Sequence, residues 1–191
     1  MQLAGESACP TTGRSCAAKV GQALACQRPL AGAVVRRSAE NAAEMKPLLI
    51  VGLGNPLMGD DGVGARVVES LAGQVDADIL LGGTDLLRYA GEMEGRQRGI
   101  LIDAIESDVV GEITVTDEDP PEGPPAGAHT LSAPAAVRLL RHLMPDVRFT
   151  WLLVGLRSAR IGEVLSPELV AALPRLRERA MELAATHRRA K

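Results

Sequence analysis

Short apolar runs alternate along this chain with segments of helical periodicity. The runs are too short for helices and contain few polar residues, which is typical of strands buried on both faces of a sheet. They occupy residues 48–51, 78–83, 100–105 and 149–155. Residues 112–116 instead alternate apolar and polar side chains with period two, so we predict an edge or antiparallel strand there.

Helical segments separate these strands. Residues 63–71 place Val63, Val67, Val68 and Leu71 on one helical face, and residues 84–93 also have a helical pattern. Ser132 is the predicted N-cap of a further helix, with Pro134 in its first turn. We predict that its buried stripe consists of Val137, Leu139, Leu140, Leu143 and Met144.

A long terminal helix is predicted to begin at Ser166-Pro167 and to bend at Pro174. Its predicted inward face consists of Leu169, Val170, Leu173, Leu176, Ala180 and Leu183. The alternation of strands and helices predicts an α/β fold, a three-layer α/β/α sandwich around a mostly parallel twisted sheet with one antiparallel edge strand.

The first 44 residues differ from the rest of the 191-residue chain. They lack an apolar period, are rich in Ala, Gly, Ser and Arg, and contain all three cysteines: Cys9, Cys16 and Cys26. We interpret residues 1–44 as a poorly ordered N-terminal extension or as the result of a start assigned too far upstream. A single domain, residues 45–191, then begins at Met45. Because that domain has no cysteine, it cannot use a catalytic thiol and it fits a reducing cytoplasm.

Charge and composition exclude some functions. The net charge of −3 gives no basic face for nucleic acid. The three aromatic residues, Tyr89, Phe149 and Trp151, are too few to form stacking platforms for bases. No apolar stretch approaches the roughly 18 to 20 residues that span a bilayer. We therefore expect a soluble, cytoplasmic monomer that binds neither nucleic acid nor membrane.

The first strand runs into a glycine-rich turn, residues 52–64, that carries two adjacent carboxylates, Asp60 and Asp61. The turn lacks the third glycine of a dinucleotide-binding fingerprint, and Pro56 removes a backbone amide. Two acidic side chains would also repel a pyrophosphate, so a cation site is the better match at this carboxyl edge of the sheet. Either aspartate could instead cap the helix that begins near Gly62.

Asp103 and His129 are the other candidate site residues. Asp103 interrupts a buried apolar strand, where a carboxylate is costly to desolvate unless a cation or several hydrogen-bond donors meet it. Its alternative roles are a helix N-cap and a hydrogen-bonded strand end. His129 lies in a loop and, taken alone, would be a solvated histidine. With Asp61, these residues could bind a first-row divalent metal, and the ligand types leave nickel, zinc and iron open.

Several motifs of the chain resemble the [NiFe]-hydrogenase maturation proteases, from about residue 48 to residue 183. They are Gly52-Leu-Gly-Asn-Pro-Leu-Met-Gly-Asp60-Asp61-Gly-Val-Gly64, Gly82-Gly-Thr84, Ile102-Asp103-Ala104, Ala128-His129, Leu153-Val-Gly155 and Leu165-Ser-Pro167-Glu168. The resemblance implies a phosphorylase/hydrolase-like fold. It also implies an endopeptidase that removes the C-terminal extension of a [NiFe]-hydrogenase large-subunit precursor after nickel insertion and thereby activates that enzyme.

The resemblance also assigns residues. It implies that Asp61, Asp103 and His129 are both the catalytic and the metal-binding residues, with Asp60 a neighbour rather than a ligand. The metal would be nickel supplied by the substrate, and another divalent metal would substitute in vitro. Because the metal would polarise the carbonyl of the bond to be cut and acidify a water molecule, the reaction would require few protein groups.

Two other functions stay open. A peptidyl-tRNA hydrolase, which is an esterase, also begins with an Ile-Val-Gly-Leu-Gly-Asn-Pro stretch and shares the general architecture. That family continues into a Thr-Arg-His-Asn segment with a catalytic histidine and has basic surface for RNA, whereas Met58-Gly-Asp-Asp-Gly62 follows in this chain. The second alternative is a non-enzymatic, metal-sensing docking protein that uses the same acidic crevice.

Overall fold

The computed structural model describes residues 34–35, 45–122 and 131–189, with side chains for residues 45–122 and 131–186. The strands are β1 (Val34–Val35), β2 (Leu48–Leu53), β3 (Asp78–Gly83), β4 (Arg98–Glu106), β5 (Ile113–Thr116) and β6 (Arg148–Leu156). The α-helices are α1 (Val63–Leu71), α2 (Ala90–Met93), α3 (Ala133–Leu143) and α4 (Pro167–Arg189). Gly59–Gly62 and Leu86–Tyr89 form 3₁₀ turns that lead into α1 and α2.

The described strands form one sheet in the order β1-β3-β2-β4-β6-β5. β2, β3, β4 and β6 run parallel to one another, so their carboxyl ends meet at one edge. β5 pairs antiparallel with β6, as the alternating pattern predicts. The predicted fold class is confirmed. The two-residue β1, which pairs antiparallel with β3, was not predicted.

Two apolar clusters cover the two faces of the sheet. On one face α1 and α4 pack against side chains such as Ile50, Ile100 and Leu152. On the other face α3, together with residues 86–93, packs against side chains such as Val51, Leu101 and Trp151. Alternate residues of β2 and β4 point to opposite faces and are buried on both, which explains the uninterrupted apolar runs.

Three residues of the predicted inward faces are exposed instead, namely Leu139, Leu143 and Val170. In α3 the buried positions are Pro134, Ala136, Val137 and Leu140. Leu139 lies about 100° around the helix from Leu140, and Leu143 is the last residue of the helix. The segment 84–93, predicted as helical, contains a 3₁₀ turn followed by the single turn of α2.

The prediction for residues 1–44 concerns residues that lie outside the described chain, apart from Val34 and Val35. Within the described chain, the helices are all too short or too polar to cross a bilayer.

Candidate functional site

The glycine-rich turn brings the end of β2, the start of α1 and the end of β4 into direct contact. A side chain at Gly64 would place its Cβ 2.4 Å from the carbonyl oxygen of Ile102 and 2.5 Å from that of Leu53. The first turn of α1 therefore rests on the backbone of both strands, which only glycine allows. Because Asp103 follows Ile102, this packing brings the turn beside Asp103.

Asp61 is held by the turn itself. Gly54 has φ of +96°, and a Cβ there would lie 1.8 Å from the carbonyl oxygen of Asp61. The Asp61 Oδ2 accepts a 2.6 Å hydrogen bond from the backbone N–H of Asn55. The N-cap of α1 is Gly62, without a side-chain hydrogen bond, so neither aspartate caps this helix. The Asp61 carboxylate closes the turn and keeps its other oxygen without a hydrogen bond from the described residues.

Asp60 faces a different partner. Its Oδ1 accepts a 2.6 Å hydrogen bond from the backbone N–H of Ser166, immediately before α4. The two neighbouring carboxylates therefore have different surroundings. Asp60 connects the turn to the start of α4, whereas Asp61 faces the end of β4. The role of Asp60 as a neighbour of the site and not a ligand stays a prediction.

Asp103 lies in β4 opposite Leu153 of β6, where the carboxyl ends of the parallel strands meet. Burial raises the pKa of Asp103 from its ordinary 3.8 to about 7. The backbone N–H of Ala104, which donates a 2.9 Å hydrogen bond to Oδ1, lowers this pKa, and the charge of Asp61 raises it further. Two carboxylates close enough to influence each other, one of them desolvated, are suited to a shared proton or a cation.

His129 falls in the segment 123–130, outside the described residues, so its place in the site stays a prediction. Across the residues that are described, no three His, Cys, Asp or Glu side chains gather closely enough to hold a metal ion. The described part of the site thus contains two carboxylates, Asp61 and Asp103. This pair fits a hard or borderline divalent cation that brings further ligands with it.

The chain on either side of that segment is firmly attached. Asp119 accepts hydrogen bonds from Trp151 Nε1 at 3.1 Å and from Arg141 at 2.6 Å, and Asp117 accepts one from Thr150 Oγ1 at 2.7 Å. On the other side, Ser132 Oγ accepts a 3.3 Å hydrogen bond from the N–H of Ala135 and caps α3, as predicted.

The hydrogen bonds of Asp117 and Asp119 to β6 and α3 were not predicted from the sequence. Acidic side chains in a proline-rich loop are usually solvated, which hid them. The available signal was the pair Thr150-Trp151 on a buried strand, whose hydroxyl and indole N–H both require partners.

A cavity of about 440 Å³ lies beside the turn, bounded by Asp60 and by residues of the loop that follows β6. We call residues 157–166 the β6–α4 loop. Its Gly162 N–H donates a 2.9 Å hydrogen bond to Leu57 O, and its Gly162 O accepts a 2.6 Å hydrogen bond from the Gly59 N–H. The loop and the glycine-rich turn therefore form one continuous surface next to the acidic pair.

Fold and site together define an α/β domain whose parallel strands present two interacting carboxylates at their carboxyl edge. Solved structures similar to this chain carry the same architecture. HybD, a [NiFe] hydrogenase maturation protease from Thermococcus kodakarensis, is 30% identical with a TM-score of 0.58, and the match covers 73% of this chain and 99% of that one. The hydrogenase maturating endopeptidase HybD from E. coli is 28% identical with a TM-score of 0.62, covering 76% and 94%.

HycI from Thermococcus kodakarensis, at 22% identity and a TM-score of 0.60, shares the fold. No protein-family model and no curated protein sequence matches the chain. The 30% identity over nearly the whole length of HybD shows that this chain belongs to the [NiFe] hydrogenase maturation protease family. The protein thus has a protease role in hydrogenase maturation, and the resemblance inferred from the sequence motifs is confirmed.

Proposed function

We propose that this protein is an endopeptidase that removes the C-terminal extension of a [NiFe]-hydrogenase large-subunit precursor once nickel has been inserted. The observation that carries the proposal is the pair Asp61 and Asp103, two interacting carboxylates from separate segments at the carboxyl edge of the sheet. The chain's similarity to maturation proteases favours a peptidase over a peptidyl-tRNA hydrolase.

Asp61 and Asp103 are proposed to bind the nickel that the precursor carries, with His129 as the third ligand. Carboxylate and imidazole groups are suitable ligands for a borderline divalent cation, and another divalent metal would substitute for nickel in vitro. Nickel bound there would polarise the carbonyl of the bond to be cut and acidify a water molecule.

The protein's own backbone holds the two carboxylates in place. The hydrogen bond from Asn55 fixes the Asp61 carboxylate, and the strand pairing of β4 with β6 fixes the backbone of Asp103. Because these groups form an incomplete ligand set, a precursor without nickel would leave two carboxylates facing each other without a cation. Such a site discriminates against the empty precursor, because only the loaded precursor supplies the metal contact.

The test is to incubate the protein with nickel-loaded and nickel-free precursor and to follow the mass of the large subunit. We expect the loaded precursor to lose its C-terminal extension and the empty one to stay intact. Loaded precursor that stays full length would contradict the proposal and leave the metal-sensing docking function as the alternative.

Variants test the residues. Asp61→Asn and Asp103→Asn keep the shape of each side chain but remove a charge, and each should reduce cleavage by a factor of at least about 100. The matched control is Asp146→Asn, which removes an exposed carboxylate just before β6, at the opposite edge of the sheet. This variant should cleave like the wild type.

A further inference from the structure

The first half of the glycine-rich turn has no backbone hydrogen-bond donor left for a bound peptide. Pro56 has no N–H, and every other backbone N–H over residues 54–59 donates to an acceptor within the protein. The acceptors, in chain order of the donors, are Gly83 O at 3.0 Å, Asp61 Oδ2 at 2.6 Å, Asn55 Oδ1 at 3.0 Å, Asn55 O at 2.9 Å and Gly162 O at 2.6 Å. A donor for a substrate must therefore come from a side chain.

The candidate site is instead rich in acceptors. Asp61 and Asp103 can only accept hydrogen bonds when they are ionised. The backbone N–H of Ala104, next to Asp103, already donates to the Asp103 Oδ1. A peptide bond that enters the site presents a carbonyl oxygen, which also accepts, so these groups do not supply the donor that it requires.

Asn55 has the only side chain of the turn, residues 52–64, that carries a hydrogen-bond donor. Its Oδ1 accepts the 3.0 Å hydrogen bond from the backbone N–H of Leu57, which forms an Asx turn. Because the carboxamide oxygen is the group that can accept this bond, the hydrogen bond fixes which end of the carboxamide faces Leu57, and Nδ2 faces away. Nδ2 has no acceptor in the described part of the chain, so it keeps its two N–H groups for another molecule.

The carboxamide lies beside the acidic pair. Asn55 follows the last residue of β2 by one position, at the carboxyl edge of the sheet. Its own backbone N–H donates the 2.6 Å hydrogen bond to the Asp61 carboxylate, and a short side chain cannot carry Nδ2 far from that bond. The residue is half-buried, so it borders the site and remains accessible to a substrate.

We propose that Asn55 Nδ2 donates a hydrogen bond to the carbonyl oxygen of the peptide bond that is cut and stabilises the negative charge that forms on this oxygen. This inference rests on the proposed function, because the bond is the one that releases the C-terminal extension. It adds a neutral donor to a site whose described residues otherwise supply carboxylates.

The reaction places the charge where this donor acts. Water oxygen forms a bond to the carbonyl carbon, and the second electron pair of the C=O bond moves onto the carbonyl oxygen. That pair returns when the C–N bond breaks, and the leaving nitrogen takes up the proton that the water releases. A donor held in one orientation before the reaction stabilises the oxyanion without reorganising. The carbonyl oxygen has two lone pairs, so Asn55 and the nickel of the precursor can both contact it.

The test measures cleavage of nickel-loaded precursor by two variants. Asn55→Ser removes the carboxamide without adding a charge, and we expect kcat to fall about 100-fold with KM within about twofold of the wild type. Asn55→Asp keeps an oxygen for the Leu57 N–H but removes the donor, and its kcat should fall at least as far. The backbone N–H that holds Asp61 is present in both variants, and urea unfolding verifies that each is folded.

The matched controls are Gln97→Ser and Gln97→Glu. Gln97 is an exposed carboxamide just before β4, at the opposite edge of the sheet, and both changes should leave kcat and KM at their wild-type values. A fall in kcat for these controls equal to that of the Asn55 variants would contradict a specific role for Asn55.

The outcomes separate this inference from the proposed function. If the wild type cleaves and Asn55→Ser cleaves equally fast, the inference fails and the protease function stands. A loss confined to Asn55→Asp would assign the effect to the added charge, and a raised KM with unchanged kcat would make Asn55 a group that only holds the precursor; either result overturns the inference. If the wild type leaves the loaded precursor intact, both proposals fail.

Discussion

Asp103 combines a pKa raised to about 7 with a position beside a second carboxylate. Between its ordinary pKa of 3.8 and about 7, the folded protein holds a proton on this side chain that the unfolded chain has released. The free energy of unfolding therefore falls as the pH rises through this range, and it levels off above it. The charged carboxylate lowers stability at neutral pH, which is common for groups kept for function.

Asp103→Asn removes this pH-dependent term, because asparagine does not titrate and still offers Oδ1 to the Ala104 N–H. We expect the variant to be more stable than the wild type by on the order of 1–3 kcal/mol at pH 8, and by less at pH 5. Urea unfolding at both pH values measures the difference. Asp146→Asn, at an exposed position, is the control and should follow the wild-type pH dependence. A stability difference that is the same at both pH values would contradict the raised pKa.

Gly54 limits what the turn can tolerate. Its φ of +96° and the 1.8 Å approach of its would-be Cβ to the Asp61 carbonyl oxygen leave no room for a side chain. We expect Gly54→Ala to lower the free energy of unfolding by more than about 3 kcal/mol, because both strain and overlap are introduced. Denaturant unfolding measures this loss.

The control for Gly54 is Gly73→Ala. Gly73 also has positive φ, at +75°, but a Cβ there meets no atom within 4 Å. Only the left-handed backbone strain of about 1–2 kcal/mol should therefore appear. Equal losses at the two positions would show that close packing at the turn contributes little.

The residues of the acidic pair show what the sequence could and could not predict. The glycine spacing and the strand patterns predicted that Asp61 and Asp103 lie at the same sheet edge, and the charge of Asp61 contributes to the raised pKa of Asp103. The partners of Asp60 and Asp61 could not be predicted. Ser166 lies 106 residues away in the chain from Asp60, and only tertiary packing brings its N–H to that carboxylate.

At the scale of elements, Asp60 connects the glycine-rich turn to α4. We expect Asp60→Ala to free the Ser166 N–H and to speed hydrogen exchange at the start of α4 by about tenfold, corresponding to about 1–2 kcal/mol for a hydrogen bond to a charged group. Exchange near the centre of α4 should not change. Asp60→Asn retains the acceptor oxygen and should give a smaller effect; identical exchange in all three proteins would argue against this connection.

Asp119 fixes the segment that follows β5 against β6 and α3. Asp119→Ala would leave the indole N–H of the fully buried Trp151 without its acceptor and would remove the ion pair with Arg141. We expect a loss of about 1–3 kcal/mol in unfolding free energy. Asp119→Asn keeps an oxygen for the indole and should lose less. Thermal unfolding of the two variants measures the order, and an equal loss would assign the effect to the charge alone.

Helices were predictable from their apolar periodicity, but the burial of each apolar position was not. Residues 63–71 were predicted as a helix, and Val63, Val67, Val68 and Leu71 are all buried because α1 lies between the sheet and α4. The pattern of α3 is equally apolar, yet Leu139 and Leu143 are exposed, Leu139 at the side of the buried positions and Leu143 at the end of the helix. Periodicity identifies an amphipathic helix, but the number of neighbours around it depends on the tertiary structure.

At the scale of the whole molecule, stability and function use different parts of the chain. The two apolar clusters on the faces of the sheet hold the strands together and contain the large buried side chains. The acidic pair lies at one edge and lowers stability at neutral pH. We therefore expect the domain to fold without a resident metal, because the burial of apolar surface supplies the main driving force.

Metal removal tests this separation. The protein is treated with a chelator and desalted before the nickel-loaded precursor is added. Because the proposed nickel arrives with the substrate, we expect the melting temperature to stay within about 1 °C and cleavage to proceed at the untreated rate. Nickel added to the free protein at its dissociation constant should stabilise it by only about 0.4 kcal/mol. Asp61→Asn, which lacks one proposed ligand, should show a smaller stabilisation. A melting temperature that falls by several degrees and recovers with added metal would instead show that the metal belongs to the folded protein.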